Sequence, residues 1–250
     1  MEFSYFLSPC AAVVRAGSGK GGEIMKKILM VIIAALLLFS GNSAARAEDG
    51  MGVKAGIKMW LNDWSRTAPG EGTITSDGVM LLGPAIALKF RNRVFADASY
   101  LFSTSDYVFA DPAFVGRSGR QDADFTLGYM VIPGFGLLAG YKDATMKNRD
   151  TGNSSTVSGP LIGVRINAPV DVSLSFYGGL NYLFTRFKGN DLLGAFQEDS
   201  PGWAFEFGVK FAFTREFSGL FGYKYETNTG KDSRVEDTFT GLTFGAMVAF

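Results

Sequence analysis

From Glu48 to Phe250 the sequence alternates, residue by residue, between apolar side chains and polar or small ones. It does so in short bursts parted by polar connections. A period of two is the mark of a β-strand with two unlike faces. Met51, Val53, Ala55, Ile57 and Met59 oppose Gly52, Lys54, Gly56 and Lys58. Later, Trp203, Phe205, Phe207, Val209, Phe211 and Phe213 oppose Ala204, Glu206, Gly208, Lys210 and Ala212. The chain ends the same way, with Leu242, Phe244, Ala246, Val248 and Phe250 against Gly241, Thr243, Gly245 and Ala249. No stretch reaches the ~20 consecutive apolar residues of a membrane-spanning helix. An all-β fold is therefore the expectation.

Ten such segments are legible, at about 51–61, 78–90, 94–103, 122–132, 135–145, 157–167, 171–185, 202–213, 217–226 and 238–250. Alternation is weakest in 94–103 and 157–167, so eight strands is the lower count. Long polar connections (62–77, 104–121, 146–156, 186–201, 227–237) follow the odd-numbered segments, and tight turns such as Pro133-Gly134 follow the even ones. This regular alternation of long and short predicts an antiparallel, up-and-down β-barrel with long loops at one end.

Composition decides which face is inside. One face carries Lys54, Lys58, Lys89, Lys142, Arg165, Lys210 and Lys224 together with Asp97, Asp122, Asp124, Glu206 and Glu226. Each basic residue at a bilayer midplane costs roughly 2–4 kcal/mol. Twelve such residues belong in a polar lumen, and the phenylalanines of 48–250 supply much of the opposite face. Trp60, Tyr100, Tyr129, Tyr141, Tyr182, Trp203 and Tyr225 lie near segment ends, where an interfacial aromatic girdle is expected. A soluble barrel with the phenylalanines inside is the alternative.

The N-terminal region reads as a targeting segment. Lys26-Lys27 precedes a twelve-residue apolar run, Ile28 to Phe39, and Ala45-Arg46-Ala47 offers small residues at a cleavage site. Residues 25–47 are thus expected to be a cleaved signal peptide, with 1–24 an over-extended start and 48–250 the barrel domain. Removing residues 1–47 takes five basic and two acidic residues and leaves 19 basic against 22 acidic. No nucleic-acid partner is implied. Cys10 is the only cysteine, so a mature chain starting at Glu48 has none.

The terminal aromatic Phe250, preceded by Val248 and Gly245, resembles the C-terminal assembly signal of bacterial outer-membrane barrels. With the ten segments and the signal peptide, the chain is similar to the small eight- to ten-stranded barrels of Gram-negative bacteria, including the OmpW-like, opacity-like and omptin-like groups. That resemblance implies export to the outer membrane, contact with its lipids and lipopolysaccharide, and recognition by the barrel-assembly machinery through the last strand.

Chemistry is limited by what is missing. The chain contains no histidine. The histidine-dependent active sites of omptin-like proteases and outer-membrane phospholipases have no counterpart here, nor does a Ser–His nucleophile or an ordinary zinc site. No catalytic residue, cofactor or metal site is expected. Asp122 and Asp124 share one strand face, a pattern that fits either a divalent-cation site or, more simply, balance of neighbouring cations. Two functions follow: a narrow channel or structural component with a polar lumen, passing small solutes if open, or a surface adhesin or receptor working through five long loops. An open lumen, with seven basic and five acidic residues, favours anions mildly.

Overall fold

A computed structural model describes residues 51–90, 93–109, 116–191 and 194–250. The expected signal peptide and the preceding residues lie outside the described residues. Fourteen strands account for the regular structure: β1 (Gly52–Ala68), β2 (Gly72–Thr75), β3 (Val79–Phe90), β4 (Val94–Ser103), β5 (Tyr107–Val108), β6 (Arg117–Ile132), β7 (Phe135–Asn148), β8 (Ser154–Pro169), β9 (Leu174–Leu183), β10 (Arg186–Asp191), β11 (Gly194–Asp199), β12 (Gly202–Ala212), β13 (Phe217–Thr229) and β14 (Glu236–Ala249).

Ten of them close a ring in the order β1, β3, β4, β6, β7, β8, β9, β12, β13, β14, with β14 returning to β1. Every neighbouring pair is antiparallel. The closing seam runs from Lys54 opposite Ala249 to Thr67 opposite Glu236. The two weakly alternating segments are full barrel strands, β4 and β8, so the count is ten. Closure leaves no free edge in the ring, which a lipid environment demands of β-structure.

The outer face is apolar. Ile57, Leu61, Phe125, Leu127, Leu137, Ile162, Phe176, Phe207 and Phe221 are all exposed on it, and neighbouring rings pack edge to face, as Tyr182 does on Trp203 at 4.8 Å. This orientation excludes the soluble alternative, which needs those side chains inside. Tyr129, Tyr141 and Trp203 project outward as expected. Trp60 does not. It shares parity with Lys58 and Asn62 and is fully buried in the lumen, so it belongs to no girdle.

Barrel strands are longer than the alternation suggested. β1 spans 17 residues and β6 16, against the roughly 9–11 needed to cross a bilayer at a tilt. The surplus lies at the long-connection end, where segments expected to be loops are strand. The connection 186–201 contains the β10–β11 hairpin, whose first strand pairs with β8. β2 adds to β1, and β5 adds to β6. At the other end the turns are tight. Pro133-Gly134 joins β6 to β7, and the positive φ of Gly134 (83°) explains glycine there. β9 starts at Leu174, later than expected, because the Asp171 carboxylate accepts bonds from the Ser173 and Leu174 N–H groups and holds a turn. Lumenal glycines permit close strand approach: a Cβ at Gly56 or Gly83 collides with a neighbouring strand's carbonyl, of Ala246 or Tyr100.

Candidate functional site

The lumen is the one interior this fold encloses, and it divides into layers. At the long-loop end, the segment after β4 turns inward. Tyr107 and Phe109 join Trp64, Trp60 and Phe239, with Val79, Leu81 and Leu101 packed among them. Trp64 stacks on Phe239 at 5.7 Å and meets Phe109 edge-on at 4.7 Å. Two polar atoms of this lid are matched, the Tyr107 hydroxyl donating to Asn62 Oδ1 at 2.8 Å and the Trp64 indole N–H to Asp237 at 2.8 Å, whereas the buried Trp60 indole N–H has no acceptor among the described residues. Asp237 also receives both forks of Arg66.

Beneath the lid lies a charge network. The Arg120 guanidinium grips Asp122 side-on at 2.8 and 2.9 Å and reaches Glu226 at 2.8 Å. Lys142 contacts Glu226 at 3.0 Å, Asp124 at 3.2 Å and Asp122 at 3.5 Å. Lys224 lies 3.5 Å from both Asp124 and Glu226. The side chains of Arg120, Asp122, Lys142 and Glu226 are only 1–2% exposed. Three cations face three anions, so the layer is electrically balanced. Aromatic faces complete it: Arg120 sits 3.6 Å from the Phe239 centroid, and Lys224 sits 4.3 Å from that of Trp60.

Strand order gives this layer its meaning. β6, which carries Arg120, and β13, which carries Glu226, are five places apart in a ring of ten. The Arg120–Glu226 bond therefore runs from one wall to the opposite wall, across the full lumen. Arg120 falls in a stretch expected to be loop and went unrecognised, although its two-residue spacing from Asp122 and Asp124 places all three on one face.

The short-turn half is different. Lys58 pairs with Glu206 at 2.7 Å, and Glu206 also accepts from the Tyr177 and Thr243 hydroxyls at 3.3 Å. Arg165 pairs with Asp97 and lies over the Phe95 ring at 4.4 Å. Phe95, Leu138, Leu161, Leu183 and Ala204 form an apolar wall that rises from this half to the charge network, where Ala204 pairs with Glu226. Around these groups is a cavity of about 280 Å³. Lys54 and Lys210 line it with no acidic partner among the described residues, and Lys210 lies 5.1 Å from the Tyr177 centroid. Lys89 has lumenal parity and sits exposed at the short-turn end, two residues along β3 from Ala87, the register partner of Lys54. Asp122 and Asp124 hold cations of the protein, and the described residues contain no group of three or more potential metal ligands.

At the end of the chain, Phe250 is exposed beside the seam, its N–H donating to the Val53 carbonyl at 2.9 Å. Val248 points outward and Gly245 inward, opposite Lys58.

Comparison with known proteins agrees with this architecture. A family model described as the outer membrane protein beta-barrel domain matches residues 31–250. Among solved structures, the outer membrane protease OmpT from Escherichia coli is similar at a TM-score of 0.54 and 11% identity, covering 84% of this chain and 99% of that one. Neisserial surface protein A aligns at a TM-score of 0.42 and 15% identity, over 80% of this chain and 97% of that one. The attachment invasion locus protein Ail of Yersinia pestis aligns at 0.35 and 13% identity, over 79% and 98%. A search of curated protein sequences returns no match.

Proposed function

Because the chain belongs to the outer membrane protein β-barrel family and resides in the bacterial outer membrane, we propose that it is a non-enzymatic structural barrel whose lumen is closed. The observation that carries this reading is the Arg120–Glu226 bond, made wall to wall in a layer almost devoid of solvent exposure and capped by the Trp64–Phe239–Tyr107 lid. A hydrated ion crossing this layer must break several buried charge pairs together. Each charge left without its partner in such surroundings costs several kcal/mol.

Catalysis is not part of the reading. The protease activity in the printed name of OmpT does not transfer at 11% identity, and a chain without histidine lacks the imidazole base of histidine-dependent sites. The buried carboxylates are held by cations. The barrel presents its strand-built rim towards lipopolysaccharide, while the last strand, with Gly245, Val248 and Phe250, is the segment offered to the assembly machinery. A surface-binding role is the second reading, favoured by exposed Val108 and Phe196 on that rim. It requires that Phe196→Ser lower the adherence of expressing cells.

Planar-bilayer recording tests the closed lumen directly. The purified protein is expected to give no steady single-channel current. A stable open conductance overturns the proposal.

A further inference from the structure

The charges of the lumen do not cancel evenly along its length. In the upper network three cations meet three anions. Below it, Lys54, Lys58, Arg165 and Lys210 meet only Asp97 and Glu206, an excess of two positive charges. The excess resides on two residues, Lys54 and Lys210. Both line the same cavity, and the charges acting on half-buried Lys210 include Lys54 and Arg165 as well as Asp97 and Glu206. Two ammonium groups without an ion pair, each in the other's field in a partly desolvated space, repel, and an arrangement of this kind gains most from a doubly charged anion.

The walls narrow the choice further. Across the lumen from Lys54 stands Leu138 on β7, and the apolar wall continues above it through Leu161 to Leu183. The space is unfilled: a Cβ added at lumenal Gly179 meets nothing closer than the Val164 carbonyl at 3.6 Å. A polar wall facing an apolar one is the usual construction of a small-molecule site, with cations fixing one end of the ligand and hydrocarbon contact the other. Lys54 is exposed, which leaves entry from the short-turn, periplasmic end.

We propose that the short-turn half of the lumen is a blind pocket for a small organic dianion, its oxygens bound by Lys54 and Lys210 and its hydrocarbon resting on Leu138, at the foot of the apolar wall. The pocket deepens the closed-barrel reading, since it is blind only if the network above it stays shut.

The test titrates phenyl phosphate into the full protein, purified in non-ionic detergent, and follows the ligand by saturation-transfer NMR. Saturable binding is expected. Lys210→Met and Lys54→Met each weaken it by about tenfold or more, as loss of a charge-assisted bond implies. Lys210→Arg retains binding, and Gly179→Leu abolishes it by filling the space. Benzyl alcohol, which lacks the charge, and inorganic phosphate, which lacks the hydrocarbon, bind more weakly. Absence of saturable binding overturns the pocket, as does unchanged affinity in Lys54→Met, a mouth position whose replacement spares the packed layers. Equal affinity for inorganic phosphate overturns the apolar half of the assignment. Bilayer current reads the other proposal separately. Steady conductance with phenyl phosphate binding intact removes the closed lumen and keeps the pocket, whereas a silent barrel that binds nothing does the opposite.

Discussion

The two halves of the lumen are built from the same residue types and behave as different materials. In the long-loop half, Arg120, Asp122, Lys142 and Glu226 are sealed at 1–2% exposure, and each charge has more than one opposite partner. In the short-turn half, the Lys58 and Glu206 side chains keep 20% and 21% of their exposure, and two lysines have no ion-pair partner among the described residues. The difference follows from geometry. The upper charges come from opposite walls and meet at the centre, under an aromatic lid that excludes water. Their lower counterparts reach across only part of the ring and leave space beside them. An ion pair is a structural strap when it crosses the lumen in the dry, and an adjustable lining when water reaches it.

The largest expected effect is at the strap. Arg120→Met removes the cation shared by Asp122 and Glu226 and leaves buried carboxylates undercompensated. Loss of one partner in a buried pair costs about 3–5 kcal/mol, to be read from urea unfolding of the protein in lipid vesicles. The midpoint should fall accordingly. A loss under about 1 kcal/mol, the surface-pair range, would mean that water already solvates this layer, and the contrast between the halves would vanish.

A smaller change is expected from Lys58→Met. Glu206 keeps the Tyr177 and Thr243 hydroxyls, and the adjoining cavity admits solvent. The cost should be about 1 kcal/mol or less after discounting for exposure. If Lys58→Met matches Arg120→Met in the same unfolding experiment, burial does not set the strength of these pairs.

How legible was this in the sequence? The ring was, because lipid outside and charge inside impose a different chemistry on alternate residues, and that signal survives even in β4 and β8. Where water lies on both sides the signal fades. The upper part of β1, Asn62-Asp63-Trp64-Ser65-Arg66, is paired strand, yet it carries no apolar–polar rhythm. For the same reason β10 and β11 resemble loop. Arg120 is missed because β6 begins at Arg117, five residues before the segment expected at 122, and Trp60 is misplaced because an aromatic near a strand end fits a girdle unless its parity with Lys58 is weighed. Tyr107 and Phe109 had no periodic signal at all. An irregular segment that folds into a lumen announces itself only through the cavity it fills.

The solvent-facing rim is the far end of the same gradient, and Glu198 offers the smallest test. Its carboxylate accepts bonds from the backbone N–H groups of Asp232 and Ser233, at 3.0 and 2.9 Å, and from the Ser233 hydroxyl at 2.7 Å, tying β11 to the β13–β14 connection. Partial desolvation pushes the Glu198 pKa up, but the three bonds outweigh it and hold the group below its ordinary value of 4.5. A carboxyl lowered in the folded state contributes its stabilisation in full above the unfolded value and loses it as pH falls through the folded one. The tie should therefore be intact at pH 6 and fail on acidification below the ordinary carboxylate range. Protection of the Asp232 and Ser233 amides from hydrogen exchange reads it locally. Glu198→Ala should remove that protection at pH 6 while leaving the global unfolding midpoint unchanged, because an exposed tie at the rim bears on its own loop and not on the ring. If the midpoint falls as far as in Arg120→Met, the rim and the sealed layer share one cooperative unit, and burial is not what separates them.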